Sequence, residues 1–291
     1  MTNVVIIGNG PAGISAALYT TRAGIDTTII GKDYGALGKA SEIENYYGFS
    51  APISGKTLIT EGIEGARRLG AHIVSDEVLG ISYDNKLTVT TNRGIYEADR
   101  VILATGAART APKIKGLTEY EGHGVSYCAV CDAFFYRGKD VAILGNGQYA
   151  LHEALELLPT SKSVTILTNG TKPEFESPAN IKINTSIIDS ISGNDIVEHV
   201  NFLTGEKLPV SGLFVAIGVA GSVDLAKKIG AQTHHNKILV DEHMSTKIPG
   251  LYAAGDCTGG LLQISKAVYE GAKAGTEIIK HVRSHSQKIS A

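Results

Sequence analysis

At 291 residues, with a net charge of −2 and a pI near 6.5, the chain can bury one large or two moderate cores and has no charge bias toward nucleic acid or an anionic membrane. Its hydrophobic residues, 43% of the total, form no run long enough to span a bilayer. Three cysteines do not make a disulfide scaffold at this size, and because Asn3 leads straight into a strand no signal peptide is expected. A reducing, cytoplasmic setting is therefore expected.

Val4–Ile7 is a short apolar run that reads as a buried parallel strand. It meets Gly8-Asn9-Gly10-Pro11-Ala12-Gly13, then an apolar-periodic helix to about Ala23, then a β-branched strand over Thr27–Ile30. Strand, glycine turn, helix and strand together make G-x-G-x-x-G a dinucleotide fingerprint. Gly8 makes the tight turn, Gly10 lets backbone approach a pyrophosphate, and Gly13 lets helix and strand pack. Pro11 and Ala12 lie inside the same loop, and the helix N-terminus supplies N–H groups. The acid expected next, for a ribose hydroxyl, is missing. Ile30 leads into Gly31 and Lys32, so backbone or Lys32 is expected to meet the ribose. Ile73–Ser82, Lys86–Thr91 and Ile95–Glu97 then read as strands of a small sheet, and VILATGA (101–107) as a buried strand ending in a glycine turn.

Tyr127-Cys128-Ala129-Val130-Cys131-Asp132 follows. Two cysteines at this spacing can close a strained, small-loop disulfide, contribute to a metal site, or sit unpaired in a core. A zinc site needs four ligands, and Cys257 is the one other thiol, far away in sequence. Asp132 directly after the pair is costly to bury without a task, and a carboxylate beside a dithiol can shuttle the proton of thiol–disulfide exchange. A redox dithiol is the favoured reading.

VAILGNGQYA (141–150) repeats VVIIGNGPAG (4–13), and a helix (Leu151–Leu158) and a strand (Val164–Leu167) follow in the same order, so a second dinucleotide-type unit is expected. Tyr149 replaces a small residue and is expected to crowd its turn. Where an acid or arginines would select the nucleotide stand Thr168, Asn169 and Gly170, with Glu174 further on. Ile181–Ile188 and Ile196–Leu203 read as a hairpin, GLFVAIG (212–218) as a repeat of VILATGA, and GLYAAGD (250–256) as a strand closing on Gly255-Asp256. Cys257 reads as a small buried hydrophobe. A helix from about Gln263 to Val282 precedes a tail, SHSQKISA, expected to fray. Crossings are expected near 110–116 and 243–249. The predicted architecture is α/β, with two Rossmann-like three-layer domains: a discontinuous one over 1–112 and 247–291, and an inserted one over 113–246.

Over nearly its whole length the chain resembles the low-molecular-weight thioredoxin reductases, flavoproteins with two dinucleotide-binding domains. The resemblance is carried by GNGPAG, IENYYGF (43–49), ATGA (104–107), SYCAVCDAFF (126–135), GLFVAIG, AAGDC (253–257) and the glutamine of LLQISKA (261–267). It implies FAD on the first fingerprint, with Asn45, Thr105, Gly106, Gly255, Asp256, Gln263 and Ile264 around its ribityl chain and ring. It also implies Cys131 facing the flavin, Cys128 attacking the disulfide of thioredoxin, Asp132 as the acid, and a homodimer whose domains rotate. Members that use NADPH carry His-Arg-Arg and a further arginine across 168–174. Here Thr168-Asn169-Gly170 offers no charge, and Glu174 matches the last arginine, a repulsive element against a 2′-phosphate. That pattern is similar to the ferredoxin-dependent flavin thioredoxin reductases, which keep flavin and CxxC and lack the NADPH motif. The expected activity is thus reduction of thioredoxin disulfide with electrons from ferredoxin. The alternatives are a pyridine-nucleotide enzyme with an atypical pocket, a dithiol oxidase, and a flavin-binding redox sensor.

Overall fold

Each glycine turn marks the head of its own parallel sheet. The computed structural model describes residues 2–107, 112–176, 178–218 and 220–289, without the side chains of Val130 and 285–289. In chain order come β1 (Asn3–Ile7), α1 (Pro11–Arg22), β2 (Asp26–Gly31), α2 (Gly55–Arg68), β3 (His72–Ser75), β4 (Val78–Asp84), β5 (Lys86–Thr91), β6 (Ile95–Ala98) and β7 (Arg100–Leu103). The segment expected as one strand over 73–82 is two strands in two sheets. β3 pairs parallel with β2, whereas β4 pairs antiparallel with β5. Asp76 makes the break: its carboxylate accepts the N–H of Glu77 at 2.8 Å and of Arg93 at 3.1 Å, turning the chain out of the first sheet. Helix α2 is not foreseen by the sequence reading. Its GKTLITEGIEGARR is rich in glycine and β-branched residues, and a Ser54 cap and the burial of Ile59 and Ala66 hold it.

Next come β8 (Val125–Ser126), α3 (Ala129–Asp132), β9 (Asp140–Leu144), α4 (Gln148–Leu157), β10 (Ser163–Leu167), β11 (Lys182–Asn184), β12 (Ile188–Gly193), β13 (Val197–Phe202), β14 (Lys207–Pro209) and β15 (Gly212–Val215). The expected hairpin shifts: β11 is a parallel edge strand on β10, and the antiparallel partner of β13 is β12. The chain ends with α5 (Ser222–Lys228), the short pair β16 (Thr233–His234) and β17 (Lys237–Ile238), β18 (Leu251–Ala253), and α6 (Ile264–Ile289). Helix α6 carries residues 284–289 of the expected frayed tail; residues 290 and 291 lie outside the described ones.

Two compact units result, one from residues 1–108 and 221–291, the other from 109–220. In the first, the parallel sheet runs β18–β7–β1–β2–β3; in the second, β11–β10–β9–β15–β8. The return to the first unit thus precedes the expected 243–249. Helix α5 belongs with the first unit because Lys228 Nζ donates to Leu79 O at 3.2 Å and Ser222 bonds Thr105. Of the expected first crossing, residues 110 and 111 lie outside the described ones. Val4, Val5, Ile6 and Ile7 are at most 3% exposed, and Val141–Leu144 at most 1%, so both central strands are sealed on both faces as their unbroken apolar runs require. Among the described residues no helix is long and apolar enough to cross a membrane.

Candidate active site

The first unit builds a cradle at the C-terminal ends of β1, β7 and β18. Gly8 has φ 114°, its N–H donates to Ile30 O at 2.8 Å, and a side chain there would meet Ala104 O at 2.3 Å. Gly13 packs against that turn: its Cβ would lie 1.9 Å from Gly8 O. Gly10 differs, because a side chain there would meet no protein atom within 4 Å. It precedes α1, which has Pro11 at its start, then Ala12, and no side-chain cap. Free N–H groups thus face open space at the positive end of a twelve-residue helix, the chemistry that holds a pyrophosphate.

The other predicted contacts gather on the same unit. Thr105 N donates to Ser222 Oγ at 2.9 Å, and Gly106 follows with φ 83° and open space where a side chain would stand. Gly255 closes β18 with φ 91°, its N–H bound to Glu270 Oε2 at 2.8 Å. Burial holds the neighbouring Asp256 carboxyl above the usual carboxylate range, against the opposing pull of Lys266. Asn45 Nδ2 donates to Gln263 Oε1 at 2.9 Å, joining residues far apart in sequence just ahead of Ile264 at the start of α6. Lys32 is engaged by the chain itself, its ammonium 2.8 Å from the carboxylate of Glu77, a side chain 5% exposed.

In the second unit, β8 ends at Ser126, and Cys128 is the N-cap of α3. Cys128 and Cys131 form a disulfide. Cys128 Sγ accepts the N–H of Cys131 at 3.2 Å; Cys128 is buried and Cys131 exposed. Ser126 organises the acid: its hydroxyl donates to Asp132 Oδ2 at 2.6 Å and its oxygen accepts the N–H of Cys128 at 3.1 Å. Asp132 is thus linked through one hydroxyl to the backbone of the cysteine it is expected to serve.

The second glycine turn, Gly145-Asn146-Gly147 ahead of α4, is covered by its own chain. Glu174 N–H donates to Asn146 O at 2.8 Å, and its carboxylate lies 3.9 Å from the Cβ position of Gly147. Asn146 Nδ2 reaches the same carboxylate at 3.5 Å. Thr168 and Thr171 exchange hydroxyl-to-carbonyl bonds of 2.6 Å, and Asn169 Oδ1 accepts the N–H of Ile188 at 2.8 Å. Tyr149 does not stand out over the turn as the sequence reading expects; it is 2% exposed and packed inside. The side chain nearest the Cβ position of Gly147 is that of Glu174, which is itself exposed.

The sequence matches the model of the family described as pyridine nucleotide-disulphide oxidoreductase over residues 2–271. This chain belongs to that family. The oxidoreductase is 35% identical to a thioredoxin reductase of Aquifex aeolicus, across 99% of this chain and 95% of that one. Among solved structures, an atypical thioredoxin reductase from Desulfovibrio vulgaris Hildenborough matches with a TM-score of 0.92 and 40% identity, covering 98% and 99% of the two chains. A ferredoxin-flavin thioredoxin reductase from Clostridium acetobutylicum matches with a TM-score of 0.74 and 31% identity, covering 97% and 98%.

The oxidoreductase is a flavoprotein with FAD as its cofactor, and the first unit fits that group: an uncapped helix start beside open space at Gly10, and a second open glycine at Gly106. The residues that sequence reasoning does not single out are the supporting ones. Ser126, Ser222, Glu270 and Glu77 bond the predicted residues and do not announce themselves by spacing. Glu153 could have been noticed, because it interrupts the apolar stripe Tyr149, Ala150, Ala154 and Leu157 of α4. Cys257 is fully buried and its thiol is pushed up to about 12 by that burial. A maleimide at pH 8 should therefore modify the exposed Cys131 first in the reduced native protein and spare Cys257 until the chain is unfolded. Mass spectrometry of the modified peptides checks this.

Proposed function

We propose that this flavoprotein reduces thioredoxin disulfide through FAD and the Cys128–Cys131 pair, as a cytoplasmic homodimer, with reduced ferredoxin and not NADPH as electron donor. The observation that carries the donor assignment is the closure of the second glycine turn by Glu174. A pyridine nucleotide would bring its pyrophosphate to the N-terminus of α4, beside which an exposed carboxylate already stands, and like charges brought together there oppose binding. The Thr168–Thr171 turn spends its hydroxyls internally, and the single Lys172 after it is a weak substitute for arginines at a 2′-phosphate. The likeness to a ferredoxin-flavin thioredoxin reductase supports the same donor.

When bound, FAD supplies exchange of one or two electrons, which lets single-electron delivery end in a two-electron product. The protein's part is thiol chemistry. The Cys128 thiolate attacks one sulfur of thioredoxin's disulfide and forms a mixed disulfide. Cys131 then attacks Cys128, restoring the internal S–S bond and releasing thioredoxin as a dithiol. Asp132 would pass the proton that each exchange requires, and its bond to Ser126 supports that role. Calorimetry with NADPH, NADH and ADP-ribose tests the closed turn separately from turnover. No binding is expected up to about 1 mM; micromolar binding of any of the three would remove the basis for a non-nicotinamide donor.

A further inference from the structure

One buried acid in the second unit has no part in this thiol chemistry. Glu153, on α4, is 1% exposed, and its carboxylate accepts the N–H of Ala129 at 2.9 Å. Ala129 directly follows Cys128 and opens the turn that carries both cysteines. We infer that Glu153 is a positioning residue for the dithiol: it anchors the first turn of α3, and its charge sets the equilibrium between the Cys128–Cys131 disulfide and the reduced pair.

Two electrons break the S–S bond, and one proton leaves one thiol and one thiolate. Cys128 Sγ already accepts the N–H of Cys131 at 3.2 Å, so it is the sulfur prepared to carry negative charge. That charge develops one residue away from the amide that Glu153 holds. Two like charges in a buried setting raise each other's cost, so an anionic Glu153 disfavours the thiolate and keeps the pair easier to oxidise. Asp132 is tied to the same turn through Ser126, and Glu153 through the amide of Ala129. A pair too stable as dithiol would hold its electrons instead of passing them to a partner disulfide, and a carboxylate at this position opposes that.

The inference rests on Cys128–Cys131 being the redox pair, and the test separates the two. Holoenzyme is equilibrated in dithiothreitol redox buffers, quenched with a maleimide, and the Cys128 and Cys131 peptides are quantified. Glutamine at 153 keeps an acceptor for Ala129 and removes the charge. Glu153→Gln should move the equilibrium about tenfold toward the dithiol, about 30 mV more positive. Glu153→Asp, which keeps charge with a shorter reach, should stay within about threefold of wild type. An unchanged equilibrium in Glu153→Gln, or an Asp variant that shifts as far as Gln, would overturn the inference. Turnover surviving in Cys128→Ser would instead dispose of the dithiol reading beneath it.

Discussion

Cys131→Ser should lower thioredoxin-disulfide turnover by about a thousandfold or more and leave FAD bound. The geometry gives both halves of that expectation. Cys131 lies on the second unit, and the proposed FAD cradle of Gly8–Gly13, Thr105–Gly106 and Gly255–Asp256 is built from the first, so the cradle keeps every residue. Without a second sulfur the internal S–S bond cannot re-form, and residues that act as one unit lose nearly all of their rate when one is removed. The variant should also trap its partner. Cys128 would attack and remain joined to thioredoxin, giving a covalent species at the summed mass, whereas Cys128→Ser should give none. The assignment of Cys128 as attacking thiol requires it to leave the buried setting in which it is 4% exposed. Trapping by Cys128→Ser and not by Cys131→Ser would reverse the two roles, and intact-mass spectrometry reads either result directly.

Gly13→Ala should lose FAD and cost about 3 kcal/mol or more of stability, while Gly10→Ala should keep its fold and lose affinity alone. At Gly13 the new methyl would stand 1.9 Å from the carbonyl oxygen of Gly8, a backbone atom that cannot swing aside without opening the turn. That turn is itself fixed, since Gly8 donates to Ile30 O and its own φ is 114°. At Gly10 the backbone is extended, with φ −79° and ψ −176°, and no protein atom lies within 4 Å of the new methyl. An alanine there changes helix capping by a few tenths to about 1 kcal/mol, yet stands where the pyrophosphate has to approach. Thermal unfolding of the apoprotein and flavin-fluorescence titration with FAD separate the two effects. Equal loss of stability in both variants would mean that Gly10 is a packing glycine and the open space has another cause.

The parts of this molecule legible in its sequence are those where one short stretch determines its own geometry. GNGPAG between an apolar run and a periodic helix dictates the turn, the helix start and the succession of strand, helix and strand. Asp132 after CxxC points to thiol chemistry. What sequence could not supply is the set of partners that arrive from elsewhere in the chain. Asp76 divides 73–82 between two sheets through a bond to Arg93, which lies beyond the next hairpin strand. Helix α2 escapes a propensity reading because tertiary burial of Ile59 and Ala66 offsets its glycines. The return of α5 to the first unit is invisible until Ser222 meets Thr105. Glu174 shows the same limit in the functional region. Its negative sign is readable, but its seat beside Asn146 and Gly147 follows from a loop closing back on the glycine turn. Tyr149 shows the converse: a bulky residue in a tight turn looks obstructive, yet its ring packs inside.

In the proposed cycle, electrons reach this flavoprotein without a nicotinamide. The most direct test of that route is an anaerobic titration of the oxidised holoenzyme, following the visible flavin band, with NADPH, NADH and reduced ferredoxin offered in turn and thioredoxin disulfide as acceptor. Bleaching and thioredoxin reduction with ferredoxin alone is the predicted result. Rapid bleaching by micromolar NADPH would contradict it, because the carboxylate of Glu174 and the closed Thr168–Thr171 turn would then not exclude the nucleotide.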